Sequence, residues 1–176
     1  MLLPLMATGS SRLQAGEIRL TLLDVGQGLA AVVQTGQHWL VYDTGAKFAE
    51  DSDMGQNVLL PFLRTQGAVR IDRLVVSHGD NDHIGGAESL IDGVAVQTVM
   101  TSAPEQLRAH APIGCTAGQT WEWDNVRFSV LSPLRIGPGS DNNHSCVLKI
   151  ESEHGSNRSS VLSRGDVNIH RNIKVP

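Results

Sequence analysis

Between Glu17 and Asp24 the chain reads Glu-Ile-Arg-Leu-Thr-Leu-Leu-Asp, an alternation of polar and apolar side chains that predicts a strand with one buried face. Leu29–Thr35 predicts a second strand, Gly36-Gln37 a tight turn, and His38–Asp43 a third strand, a meander suited to one sheet of a sandwich. Ala46–Gln56 is polar and acidic and predicts a loop lying over the functional site. From there the period changes. Val58, Leu59, Phe62 and Leu63 recur at helical spacing and predict a helix over 57–66, with Asn57 as N-cap, Gly67 as its stop and Pro61 displacing or distorting its start. Ile71–Ser77 predicts a strand, Gly86–Asp92 a short helix with Ala87, Leu90 and Ile91 inward, and Val94–Met100 another strand. Residues 103–118 are irregular apart from a helical turn at Pro104–Arg108. Gln119–Leu131 predicts a hairpin around Asp124-Asn125, with Trp121 and Trp123 sharing one face, which makes them core rather than a base-stacking surface. Polar residues 140–145 lead into a last clear apolar strand, Val147–Ile150.

Hairpins on either side of a strand–helix alternation predict an α/β (α+β) fold, a two-sheet sandwich with helices on its outer faces. With 176 residues there is material for one domain with a real core. Residues 1–16 are expected to be a tail or linker remnant and 17–176 the domain. No apolar run approaches the roughly 20 residues that span a bilayer, so any membrane helices of a parent protein lie elsewhere. Cys115 and Cys146 share no paired spacing and are each expected to be a small buried hydrophobe. A net charge of −4 argues against nucleic-acid binding by bulk electrostatics. Residues 1–100 carry 6 of the 14 basic residues and 11 of the 18 acidic ones, so the acid excess falls in the half that holds the most unusual stretch.

That stretch is Ser77-His78-Gly79-Asp80-Asn81-Asp82-His83-Ile84-Gly85-Gly86. Two imidazoles and two carboxylates fall within six residues, directly after an apolar strand. His78 and Asp80, two apart, point the same way while the chain is extended and can grip one cation, and Asp82 and His83 can turn toward a second. Imidazole with carboxylate suits zinc, manganese or iron better than calcium. The bland alternative is a polar surface loop in which Asp and Asn only make turns.

The pattern His-x-Asp-x-Asp-His-x-Gly-Gly resembles the His-x-His-x-Asp-His signature of metallo-β-lactamase-fold hydrolases, with Asp80 in place of the second His. Together with Asp24-Val25-Gly26-Gln27-Gly28 it is similar to the C-terminal domain of the ComEC competence proteins, inner-membrane DNA-uptake channels. The resemblance implies a metallo-β-lactamase-like αββα sandwich, incomplete at the C-terminus. It also implies two divalent ions, manganese or zinc, held by His78, Asp80, Asp82, His83 and a bridging Asp166, with Asp82 and Asn143 catalytic. Asp24, Asp43 and Asn142 would stand behind the ligands. Each assignment has a plainer counterpart. Asp43-Thr44-Gly45 also reads as an Asx turn, Asp24–Gly28 as a bend, Asn142-Asn143 as a strand cap, and Gly165-Asp166, where Arg164 replaces the family's Thr, as a simple turn. The family's terminal His ligand has no match, since His170 lies only four residues past Asp166.

The resemblance therefore implies a nuclease acting on single- or double-stranded DNA during uptake, beside the membrane channel domain of a parent protein at the inner membrane. Two alternatives stay open: a catalytically dead truncated remnant or fragment of that domain, and a small-molecule hydrolase of the same fold.

Overall fold

The computed structural model describes residues 12–136 and 144–152, and the backbone of 158–163 and 166–169. The predicted meander is present as Arg19–Leu22 (β1), Ala31–Gln34 (β2) and Trp39–Tyr42 (β3), antiparallel throughout. Three parallel additions follow on the far side of β3: Arg73–Val76 (β7), Val99–Thr101 (β9) and Ile113–Gly114 (β10), giving a six-stranded mixed sheet. A second, antiparallel sheet holds Thr120–Trp123 (β11), Val126–Ser132 (β12), Val147–Ser152 (β13), Arg158–Ser163 (β14) and Asp166–Ile169 (β15).

Strand alternation sorts the first sheet into two faces. Leu20, Val33, Leu40, Tyr42, Val75 and Met100 pack against Val126, Phe128, Val130, Leu148 and Ile150 of the second sheet. Val32, Val41, Leu74 and Val76 pack instead under Leu59, Leu63, Ala87 and Leu90 of the helices. Among the described residues helices cover this face only. The outer face of the second sheet carries Glu122, Arg127, Lys149 and Glu151, paired within strands or across them.

Four local expectations change. Ala46–Gln56 is not an irregular loop: Lys47–Ala49 (β4) and Ser52–Asp53 (β5) form a small hairpin. The helix then begins at Gly55, as a π-turn over Gly55–Leu59 running into Leu60–Thr65 (α1), so Asn57 lies inside it. The capping carboxylate is Asp53, which accepts from the Gln56 N–H at 2.9 Å and sits buried where sequence alone reads it as loop. Val94–Met100 splits into Ala95–Val96 (β8), which pairs with Arg70–Ile71 (β6), and the start of β9. Helix Ala87–Gly93 (α3) lies so close to the π-turn that a Cβ on Gly55 would meet the Gly86 carbonyl oxygen at 2.0 Å, which is why the pair is glycine.

The cysteines depart from expectation in their pairing. Both are buried, as expected, but they are bonded to each other across 31 residues with Cα atoms 6.0 Å apart, joining the first sheet's edge to the entry of β13. Spacing of two isolated cysteines says nothing about which distant strand ends meet, so this pairing is a tertiary result. Denatured, unreduced protein is expected to show no titratable thiol, and two after reduction. Cys115→Ala is expected to lower stability by roughly 3–4 kcal/mol, the loop-closure value for this separation. A full thiol count before reduction would overturn both.

Asp124, expected only to turn the β11–β12 hairpin, also ties the two sheets together. With φ at 50° it directs its Oδ2 to the β2–β3 turn, accepting from Thr35 Oγ1 (2.6 Å) and Gln37 N–H (2.8 Å) and bonding His38 Nδ1 at 3.0 Å. Burial alone would raise its pKa, but these bonds and the neighbouring His38 ring hold it below the ordinary carboxylate value of 3.8. A folded value below the unfolded one means stabilisation that is fully present above the unfolded pKa and lost as pH falls through the folded one. Asp124→Asn keeps the left-handed backbone and one acceptor. It is therefore expected to cost about 1 kcal/mol at pH 7, with the gap to the parent closing as urea midpoints are followed down toward pH 3. A gap that stays constant with pH would refute the assignment.

Candidate metal centre

β7 delivers the cluster. After Val76 the chain leaves the sheet through Ser77 and His78, stays extended at Asp80 (φ −73°, ψ 143°), and turns at once into the single helical turn Asn81–Ile84 (α2). The extended part sets His78 and Asp80 on one side, with Nε2 and Oδ2 3.3 Å apart. The helical turn swings His83 back over His78, ring centroids 4.1 Å apart, with its own Nε2 3.6 Å from Asp82 Oδ2. Two donors on one ion at 2.0–2.2 Å with a tetrahedral angle stand about 3.4 Å apart, so each imidazole–carboxylate pair has the span of a ligand edge. Among the described residues no three His, Cys, Asp or Glu side chains converge on one point.

The imidazoles are held from behind. Asp43 is fully buried with φ at 58°, and its carboxylate makes no Asx turn. It accepts from the Ser77 N–H (2.6 Å), from Ser77 Oγ (2.8 Å) and from His83 Nδ1 (2.7 Å). Ser77 Oγ in turn lies 2.8 Å from His78 Nδ1. Both inner ring nitrogens are thus engaged and both Nε2 atoms are left for a ligand. His78 Nε2 is buried and has no hydrogen-bond partner, although Asp80 is near. An orphaned acceptor of this kind, beside carboxylates, fits a divalent cation. Thr44 adds a brace from below, donating through both its N–H and Oγ1 to the His83 carbonyl (2.8 and 2.9 Å).

The two histidines titrate in opposite directions. Burial, and then the charge of His83, lower the pKa of His78 more than Asp43, Asp80 and Asp82 raise it. Burial also opposes the charged form of His83, but the Asp43 hydrogen bond and charge outweigh it and raise its pKa. The neutral imidazole a metal requires is therefore favoured at His78.

Glycines let neighbouring loops close on the cluster. Gly28 (φ 123°) is so near that a Cβ would meet the Asp82 carbonyl oxygen at 2.1 Å, and the Leu29 N–H donates to that oxygen at 3.2 Å. Of this loop, Asp24 and Gln27 are exposed, and Asp24 Oδ1 accepts from the Gly26 N–H at 3.1 Å as an Asx turn. Asp80 and Asp82 are partly open, 45% and 36% exposed in their side chains, against 1% for His78. Asp166 is the first residue of β15, paired with Ser163 of β14, and its side chain lies outside the described residues, as do Asn142 and Asn143. Strand pairing of Leu148 with Leu162 puts the backbone pair Ser163–Asp166 at the end of the sheet where the Cys146 N–H donates to the Ser77 carbonyl at 2.8 Å. Sequence reading missed Ser77 and Thr44 as functional neighbours; their signal was adjacency to the two motifs, Ser before His78 and Thr after Asp43.

A strand-end cluster of imidazoles and carboxylates at the rim of two stacked sheets, with helices on the far face, defines a metallo-hydrolase fold. Residues 23–141 match the metallo-beta-lactamase superfamily, and the chain belongs to it. Its curated homologues include competence proteins of the ComEC family. The chain is 35% identical over 144 residues to "Recombination protein 2" of Haemophilus influenzae, covering 82% of this chain and 18% of that one. It is 34% identical over 134 residues to "Competence protein ComA" of Neisseria gonorrhoeae, covering 76% and 18%. "ComE operon protein 3" of Bacillus subtilis is 30% identical over 164 residues, covering 78% and 21%. The chain spans about a fifth of the length of these relatives. Among solved structures, a subclass B3 metallo-β-lactamase with an active-site glutamic acid superposes with a TM-score of 0.61 at 17% identity, over 81% of this chain and 58% of that one. A Cronobacter sakazakii enzyme with a HARLDQ motif, in mutant form, gives 0.58 at 17%, over 77% and 56%. These two likenesses concern the fold. Among the described residues no helix is long and apolar enough to cross a membrane.

Proposed function

We propose that this chain is a metal-dependent phosphodiesterase domain that cleaves DNA during competence-related uptake. The observation that carries the metal is the buried, unpartnered Nε2 of His78 beside Asp80, with His83 held at Nδ1 by Asp43 so that its Nε2 faces Asp82. His78 and Asp80 would hold one cation, Asp82 and His83 a second, and Asp166 would contribute to both. Bound divalent ions supply a Lewis acid for the phosphoryl oxygens and lower the pKa of water. Asp43 and Ser77 keep both rings oriented, and Asp82, partly open to solvent, would take a proton from attacking water at a carboxylate oxygen. Asn142 and Asn143 would orient the phosphate through their amides. Asp80 in place of imidazole adds a hard, charged oxygen ligand and moves the preference from zinc toward manganese.

DNA as substrate is supported by the competence relatives, and the membrane channel domain of a longer parent protein, at the inner membrane, is the corresponding partner. The test is cleavage of end-labelled single- and double-stranded oligonucleotides by the purified chain with manganese, zinc or chelator. Metal-dependent strand scission is expected. Turnover of a lactone or thioester but of neither DNA substrate would overturn the nuclease reading in favour of a small-molecule hydrolase.

A further inference from the structure

We infer that Phe48 stacks on an unpaired base of the bound strand and makes the site prefer single-stranded DNA. This rests on the nuclease reading above. Phe48 is 63% exposed and is the only aromatic among the exposed large hydrophobic residues of the described chain. Tyr42 and Phe128 are fully buried, and Trp121 and Trp123 are packed against Phe128 in the sheet–sheet core. All three residues of β4 are exposed, so the fold gains nothing from a large ring there.

The backbone that carries that ring is held by the loop of candidate ligands. Asn81, between Asp80 and Asp82, clamps the residue before Phe48 at both ends of its peptide: the Lys47 N–H donates to Asn81 Oδ1 (3.2 Å) and Asn81 Nδ2 donates to the Lys47 carbonyl (3.0 Å). The contact is tight, since a Cβ on Gly85 would fall 2.2 Å from Lys47 N. The Met54 N–H closes the hairpin base onto the Ala46 carbonyl at 3.0 Å. An exposed aromatic thereby stands one residue from backbone held by Asn81, which lies between the candidate ligands Asp80 and Asp82 in the chain.

Charge decides what it meets. The hairpin carries Glu50 and Asp51 at its turn and only one cation, Lys47, so it does not offer a track for phosphates. A phenyl ring offers a π-face to a base instead. Paired, stacked bases of a duplex expose no face, whereas those of a single strand do.

The experiment compares the parent with Phe48→Ala and Phe48→Trp, using a fluorescein-labelled oligothymidylate and an abasic strand of equal length. Anisotropy is read in chelator, where nothing is cut, and cleavage is read with manganese. Phe48→Ala is expected to weaken binding to oligothymidylate and to raise its KM about 5- to 100-fold, with kcat, Tm and abasic-strand binding unchanged. Phe48→Trp is expected to restore both. Equal losses on both strands, or parent-like behaviour of Phe48→Ala on oligothymidylate, would overturn the inference while leaving the nuclease reading intact. A parent protein that neither binds nor cuts either strand would overturn both.

Discussion

Asp43→Ala is expected to melt about 6–20 °C below the parent. The substitution leaves the Ser77 N–H, the Ser77 hydroxyl and His83 Nδ1 without their shared acceptor in a site with no solvent access. Breaking a buried charged network of this kind costs about 3–5 kcal/mol, and each kcal/mol moves Tm by about 2–4 °C in a chain of this size. Alanine is further penalised by the left-handed φ of 58°, which Asn tolerates. Asp43→Asn is therefore expected to lose less stability and more metal affinity. Its amide can accept from Ser77, but presenting NH2 to His83 Nδ1 requires the other tautomer, with the proton on Nε2, the atom a cation needs. Thermal melts and metal titration calorimetry on both variants check this. An Asp43→Ala melt within 2 °C of the parent would show that the three bonds contribute little.

Asp80→Ala and Asp82→Ala carry the second large effect, on activity instead of folding. Their side chains are partly exposed, and the Asp80 carbonyl that starts α2, accepting from the His83 and Ile84 N–H groups, is backbone. Metal-free stability is expected to stay within about 0.5 kcal/mol of the parent. Manganese-dependent cleavage is expected to fall by about 10³-fold or more, because a bound cation is what activates water in this scheme. Asp80→His, which recreates the His-x-His-x-Asp-His spacing, is expected to keep turnover and raise the ratio of zinc-supported to manganese-supported rate. Cleavage that persists in Asp80→Ala and Asp82→Ala at parental rate would remove this loop from the chemistry.

Much of the architecture was readable along the chain because it depends on short-range periodicity. The β1–β3 meander, the strand feeding the cluster, the helix after Gly86 and the Trp-bearing hairpin all follow from alternation or helical spacing plus a turn residue. The expectation failed where a contact distant in sequence set the outcome. Asp53 caps a helix that Asn57 was expected to start because β5 brings it there, and Ser89 also donates to it. Residues 47–53 form a hairpin because the Asn81 side chain holds its base.

The candidate donors His78, Asp80, Asp82 and His83 were legible from residue type and spacing alone, since all four fall within one local turn of chain. Only the tertiary structure decided what stands behind them. Asp43 lies 34 positions from Ser77 and 40 from His83 and reaches both because β3 and β7 are parallel neighbours in register, and no periodicity along one strand specifies its partner. The Cys115–Cys146 bond and the Asp124 tie arose the same way, from strand ends brought together by two sheets stacking on a shared core.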